Sequence, residues 1–258
     1  MLTGFGTNPG DATLLPGGEG RTWSNGDLVI KPTGLPAEAV WIAEVLSALP
    51  ADPRFRVARP VRALDGDWLV DGWEAWHRLD GATDPSRWHD VLAVGEAFHD
   101  ALAGIPRPSF IDDRDNGWSY GERLAWEELP FTGHEVMAEL LAPLAEARRP
   151  VDLASQPVHG DLLGNVMFAD GLAPAIIDWP VYYRPPLWAS AVVVVDALTW
   201  HKAPADLLEV DSPGWQQMLI RALMFRIGTN EGFRRRGRQI HEDAESYRST
   251  VDLVLALT

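Results

Sequence analysis

"VHGDLLGNVMFADGLAPAIIDWP", residues 158–180, decides how this chain is read. It gathers His159, Asp161, Asn165 and Asp178 around two short apolar runs, Val166-Met167-Phe168 and Ala175-Ile176-Ile177. The runs have strand length, Ala169-Asp170-Gly171 makes a turn between them, and 159–165 is a loop. Asp161, Asn165 and Asp178 then fall at neighbouring loop ends. One carboxylate able to accept a proton, with a carboxylate and an amide oxygen able to hold a hard cation, suits Mg²⁺ and phosphate. Magnesium keeps water and phosphate oxygens in its shell, so two protein ligands suffice. Each residue alone is ordinary turn chemistry, because Asp and Asn bond the local backbone; the combination points to a site.

Upstream, the first 80 residues read as short strands with one helix. TLLPGGEGRTWS and NGDLVIKP are successive strands joined through Asn25-Gly26, a hairpin signal. AEAVWIAEVLSAL, 37–49, puts Val40, Trp41, Val45, Leu46 and Leu49 mostly on one helical face, and Pro50 and Pro53 end it. RVARPVRAL and WLVDGWEAWHRL form a further hairpin across Asp65-Gly66-Asp67. From Gly81 the texture is helical: 86–105 with Ser86 at the N-cap, then 119–129, 133–149, 187–203, 213–228 and 237–257. A small β-rich lobe followed by a helical one, with the boundary near 76–81, implies a cleft suited to a ligand.

The bulk numbers exclude several classes. A hydrophobic fraction of 46% and a charged fraction of 23% are those of a globular protein, and 258 residues can bury a sizeable core. No apolar run reaches the roughly 18–20 residues of a membrane span, since LWASAVVVVDALTW is broken by Ser190 and Asp196. The first residues lack a basic start and apolar segment, so no secretory signal is expected and a cytoplasmic location is the default. With no cysteine, disulfides and thiolate metal sites are excluded. The net charge of −15 argues against nucleic-acid binding, which needs a basic footprint.

The stretch 158–180 resembles the catalytic and metal-binding loops of the aminoglycoside phosphotransferase family, relatives of the protein kinases. HGDLLGNV, IIDWPVYYRPPLWASAVVVVDAL and RDNGWSYGERLAWEE look like an actinobacterial branch of it. The resemblance implies an α+β, two-lobed protein-kinase-like fold. Its small β-rich N-lobe, 1–78, carries one main helix and binds nucleotide; the larger helical C-lobe, 79–258, carries the catalytic loop and acceptor site. It implies Asp161 as catalytic base, Asn165 and Asp178 as Mg²⁺ ligands, His159 as a brace for the loop, and Asp196 as the carboxylate holding the catalytic-loop backbone. In one respect the chain departs from the family: Asn165 follows Asp161 by four positions rather than five. Gly164, tolerant of positive φ, can absorb the tighter turn, or Asn165 points elsewhere and Asp178 is the main ligand.

On the nucleotide side the resemblance makes LPGGEGRTW, 15–23, the loop over the phosphates, through Gly17, Gly18 and Gly20. Lys31, closing the apolar strand LVIKP, becomes the phosphate-pairing lysine. Its partner is a glutamate of the following helix, Glu38 by preference and Glu44 otherwise. The adenine hinge runs through Trp76-His77-Arg78-Leu79, with backbone groups of His77 and Leu79 toward the base; ATP and GTP are not distinguished. The acceptor is a small molecule with a hydroxyl, walled by Trp179, Tyr182, Tyr183, Arg184 and Trp188 or by none of them if these rings are core. Glu231, Glu242 and Asp243 are the carboxylates available to a polycation, and RRRGR, 234–238, is a solvated patch. Two other functions compete: a nucleotide binder without catalysis, motivated by the shortened loop, and a metallohydrolase on His159, Asp161 and Asp178, which leaves Lys31 unexplained.

Overall fold

A computed structural model describes residues 2–15, 20–130, 135–238 and 245–257. In chain order its strands and helices are β1 (Thr13–Leu14), β2 (Trp23–Asn25), β3 (Leu28–Pro32), α1 (Pro36–Ala48), β4 (Arg56–Val57), β5 (Pro60–Val61), β6 (Leu69–Val70), β7 (Trp73–His77) and β8 (Ala82–Thr83). There follow α2 (Trp88–Ala101), α3 (Gly117–Ala125), α4 (Glu135–Ala147), β9 (Gln156–His159), β10 (Val166–Phe168), β11 (Ala175–Ile176), β12 (Val181–Arg184), α5 (Pro186–His201), α6 (Trp215–Arg235) and α7 (Glu245–Leu255). Short 3-10 turns fill several connections.

The chain divides into two compact units. The first comprises residues 1–84, 108–112 and 165–179; the second comprises 85–107, 113–164 and 180–258.

In the first unit, one antiparallel sheet runs β1-β2-β3-β7-β5, with β6 also paired to β7. Asn25 pairs with Leu28, so the turn is Gly26-Asp27, one residue later than the Asn25-Gly26 expectation, with Gly26 at φ +58° as a type II′ turn requires. The two segments expected to pair across Asp65-Gly66-Asp67 do so, with Ala63 N–H donating to the Asp67 carbonyl (2.8 Å), and a further hairpin, β6–β7, closes at Asp71-Gly72, both at positive φ as in a type I′ turn. β5 pairs with the far part of β7, Pro60 opposite Trp76. Helix α1 starts on a favourable N-terminal proline and buries Ala39, Ile42, Ala43 and Leu46, one face at helical spacing.

The hairpin β10–β11, read from sequence as part of the second lobe, packs with the first unit. β10 pairs with β8, and β11 runs parallel to β4. Arg56 reinforces this by donating from Nε to the Ala173 carbonyl (2.8 Å) and from a terminal nitrogen to that of Asp80 (3.1 Å).

The second unit is helical around one large core, to which α5 and α6 contribute most. Valines are poor helix formers, yet Val192–Val195 stay helical because each is buried, and burial outweighs a propensity cost of a few tenths of a kcal/mol per residue. Asn116 caps α3 with a reciprocal pair: its Oδ1 accepts from the Ser119 N–H (2.8 Å), and its own N–H donates to Ser119 Oγ (3.0 Å). Helix α2 begins at Trp88 with Arg87, not Ser86, at the N-cap. Helix α6 runs seven residues beyond the expected 228, because Glu231 holds Arg234 and Arg235 one turn on.

α3 and α6 cross on glycine. A Cβ on Gly121 would lie 2.4 Å from the Phe225 carbonyl oxygen, and one on Gly228 would lie 3.0 Å from Gly121 Cα. Side chains are excluded there because backbone already fills the space. Gly121→Ala is therefore expected to destabilise the protein by about 1–3 kcal/mol, read as a lower urea midpoint. Gly34→Ala, with nothing within 4 Å of its Cβ, should hold that midpoint or raise it.

Candidate active site

The loop after β9 is built from its backbone outward. β9 pairs antiparallel with β12, His159 opposite Val181. From α2, the fully buried His99 supports β9 twice: its Nε2 accepts the His159 backbone N–H (3.0 Å), and its carbonyl accepts from Gln156 Nε2 (2.6 Å). His159, 0% exposed, takes the Asp161 backbone N–H on Nδ1 (3.1 Å). The loop that carries Asp161 thus hangs on two buried imidazoles. Gly160 is small of necessity, since a Cβ there would lie 2.4 Å from the Tyr182 ring. Leu162 is the loop's apolar anchor, 2% exposed, in the space that Gly95 of α2 leaves open.

Asp161 itself emerges half-exposed and meets a partner that sequence reading missed. Arg226 of α6 donates from Nη2 to Asp161 Oδ1 (2.6 Å). The same guanidinium grips Asp196 of α5, through Nε to Oδ1 (2.8 Å) and through Nη2 to Oδ2. Burial works against the Arg226 charge, but Asp196 and Asp161 outweigh it and hold its pKa well above the ordinary value.

The first unit carries the second cluster. β3 and β7 place Lys31 directly opposite Glu74. The Lys31 ammonium lies 2.5 Å from Asp178 Oδ1 and 3.5 Å from Glu74 Oε1. Burial pulls the lysine pKa down, and Asp178 with Glu74 more than restores it, so the net direction is upward. Burial also pushes the Glu74 carboxyl up against the pull of Lys31. The helix carboxylates expected beside Lys31 are not its ion-pair partners among the described residues: Glu38 is in the first turn of α1, and Glu44 is exposed. Glu74 takes that place because strand register, not the helix, brings it across the ladder.

Asp178 holds φ +49°, a conformation rare outside glycine and tolerated by Asp. The Asn165 carbonyl accepts the Ile177 N–H (3.0 Å), which ties Asn165 to the residue just before Asp178. Gly164, at φ +93° with open space around it, makes the turn of the shortened loop. Two hard oxygen donors at one hairpin end fit a magnesium ion that takes its remaining oxygens from phosphate and water. Among the described residues no group of three His, Cys, Asp or Glu could hold a metal alone.

Other expected residues fall as follows. Gly17 and Gly18 lie outside the described residues, as do Glu242 and Asp243; Gly20 is exposed at φ +68°. His77 ends β7 with its N–H given to the Arg59 carbonyl (2.8 Å), and Leu79 is half-buried two residues on. Of the two readings open for the aromatics after Asp178, Trp179, Tyr182 and Trp188 follow the core one, and Tyr183 is half-buried. Trp179 packs on Trp41 of α1 at 5.6 Å, and Tyr182 and Trp188 pack edge-on to each other and to Phe225. Arg184 is bound by Glu122 and Glu128. Glu231 is buried against Arg234 and Arg235, and Arg236 pairs with Asp115; RRRGR, 234–238, is exposed as expected, with these ion pairs at its base.

The fold is that of the protein-kinase-like small-molecule phosphotransferases, α+β in class. Solved structures similar to this chain include choline kinase LicA from Streptococcus pneumoniae, at 14% identity and TM-score 0.60, covering 96% of this chain and 93% of that one. A choline/ethanolamine kinase family protein from Mesorhizobium loti matches at 15% identity and TM-score 0.60, covering 96% and 88%. Spectinomycin phosphotransferase APH(9)-Ia, solved with ADP and spectinomycin, matches at 12% identity and TM-score 0.57, covering 95% and 92%. No protein-family model and no curated protein matches the sequence.

His99 makes one consequence measurable. Burial, with the neighbouring His159, lowers its pKa from 6.5 to about 3. The unfolded chain therefore binds a proton that the folded chain refuses between those values. The stability this residue contributes is complete above pH 6.5 and is lost as pH falls toward 3, at up to about 1.4 kcal/mol per pH unit. His99→Gln should flatten that part of the stability–pH curve relative to wild type, measured by urea denaturation.

Proposed function

We propose that this protein is a Mg²⁺-dependent phosphotransferase of the aminoglycoside phosphotransferase and choline kinase type. It moves the γ-phosphate of ATP or GTP to a hydroxyl of a small molecule such as a sugar or aminoglycoside. The observation that carries the reading is the Lys31 ammonium on Asp178 Oδ1, opposite Glu74 in one sheet register. A lysine held between two carboxylates is oriented and charged, ready for phosphate oxygens.

In this reading the acceptor hydroxyl gives its proton to Asp161 as its oxygen bonds to the γ-phosphorus. The bond from that phosphorus to the β–γ bridging oxygen breaks, and the nucleoside diphosphate leaves with the electron pair. Lys31 neutralises charge on the phosphates, and Glu74 keeps the lysine extended. Asn165 and Asp178 would hold Mg²⁺, which supplies further neutralisation of phosphate charge when bound. Catalysis is then mainly positioning and electrostatics. Gly18 and Gly20 belong to the loop toward the phosphates, and His77 and Leu79 to the hinge toward the base. The N-terminal part serves the nucleotide and the helical part the acceptor.

No helix among the described residues is long and apolar enough to cross a membrane. We take the enzyme to work in the cytoplasm on small molecules, without nucleic acid. A second reading, nucleotide binding without transfer, is favoured by one observation: Asp161 already carries an arginine partner.

Asp161→Asn separates the two. Turnover of ATP or GTP should fall by at least about 100-fold, the scale of a lost acid–base group, with nucleotide affinity unchanged by calorimetry. Equal turnover in the variant and wild type would sink the assignment. Glu74→Gln should weaken nucleotide binding while Glu38→Gln leaves it intact; the reverse order would restore the helix glutamate as the lysine's partner.

A further inference from the structure

We propose that Arg226 is a positioning residue for phosphoryl transfer: clamped by Asp196, it fixes the Asp161 carboxylate in the orientation that meets the acceptor hydroxyl. This rests on the phosphotransferase reading above.

Three observations carry it. First, the guanidinium has one buried anchor and one exposed client. Asp196 is 1% exposed and takes two of its bonds; the Asp161 side chain is 41% exposed and takes one. A buried aspartate on an apolar helix needs a cation, and Arg226 supplies it through the paired bonds. Asp161 is half-exposed and keeps access to solvent, so its bond to the buried guanidinium is the less sequestered of the two pairs. The Asp196 pair therefore does most to neutralise the buried charge, and the third bond fixes the Asp161 carboxylate.

Second, the guanidinium plane is itself restrained. Its central carbon lies 5.1 Å from the Phe225 ring centroid and 5.6 Å from that of Trp200. It stands on α6 where the helix is buried without interruption from Met218 to Phe233. The carboxylate is thus tied to a rigid element, while its backbone hangs on His159. Third, the task needs an arginine. Only a planar fork reaches two carboxylates in fixed directions; a lysine provides a point charge on a flexible stem.

An ion-paired aspartate is a weaker proton acceptor, which would count against a strong general base. In a loose phosphoryl-transfer transition state the hydroxyl needs orientation more than early deprotonation. The pair therefore suits a carboxylate whose work is to aim the acceptor oxygen.

The test measures steady-state hydrolysis of ATP and GTP with Mg²⁺, water serving as acceptor, beside nucleotide affinity and melting temperature. The proteins are wild type, Arg226→Lys, Arg226→Ala and the charge-neutral double variant Asp196→Asn/Arg226→Met, which leaves no buried unpaired acid. Arg226→Lys and the double variant should bind nucleotide as wild type does and lose about 100-fold in kcat, the cost of a misplaced reacting group; Arg226→Ala should lose as much and also melt lower, because it leaves Asp196 buried and unpaired. Methylguanidine should restore part of the rate to Arg226→Ala, and none to Asp161→Asn/Arg226→Ala. A kcat within twofold of wild type in Arg226→Lys or in the double variant overturns the proposal. So does a loss that tracks nucleotide affinity or melting temperature and does not respond to methylguanidine. A wild-type protein that binds nucleotide and never turns it over removes the phosphotransferase reading and this proposal with it.

Discussion

The helical unit depends on a buried ion pair. Arg226 on α6 and Asp196 on α5 meet inside an apolar core, where either charge alone would cost several kcal/mol. That requirement fixes the rotation of α6 against α5. α3 then lies against α6 along Gly121 and Gly228, which leave room for backbone only. Because α6 cannot turn or slide without parting that pair, the Arg226 bond to Asp161 ends at a defined point.

The nucleotide-side cluster is organised by a different constraint, strand register. A β ladder fixes which residues face each other, and β3–β7 places Lys31 across from Glu74. β10 and β11 extend the same unit by pairing with β8 and β4, and at their end Asn165 and Asp178 stand together through the Asn165–Ile177 bond. In the structure described, Asp178 neutralises Lys31. Under the proposed function, phosphate would take the lysine and a cation would take the aspartate, so binding exchanges one ion pair for two.

Much of this was legible in the sequence, and what was not has physical reasons. Local pattern shows the strands around 166–176 and the seven helices, because apolar period and proline are local signals, but α6 ends seven residues after the expected 228 and α7 begins at Glu245 rather than 237. Asp161, Asn165 and Asp178 stand out in the sequence because their residue types carry chemistry, while Lys31 and the separate roles come from the family resemblance. Glu74 was missed because its role follows from pairing, which no single strand displays. Arg226 was missed because an arginine inside a helical stretch reads as a solvated residue until its neighbours are known. The aromatics after Asp178 suit either an acceptor wall or a core from sequence, and only packing decides: Tyr182 and Trp188 fill the core around Phe225. Glu231 looked available to a polycation and is instead consumed by Arg234 and Arg235.

The central claim is that Lys31 and Asp178 form a receptor for a nucleotide phosphate with its magnesium. Isothermal calorimetry of ATP and GTP, each with and without Mg²⁺, tests it most directly on wild type, Lys31→Met and Asp178→Asn. Wild type should bind at least one nucleotide in a Mg²⁺-dependent manner, Lys31→Met should lose affinity, and Asp178→Asn should lose the Mg²⁺ dependence. Binding of neither nucleotide to wild type, or unchanged affinity and Mg²⁺ dependence in both variants, would contradict it.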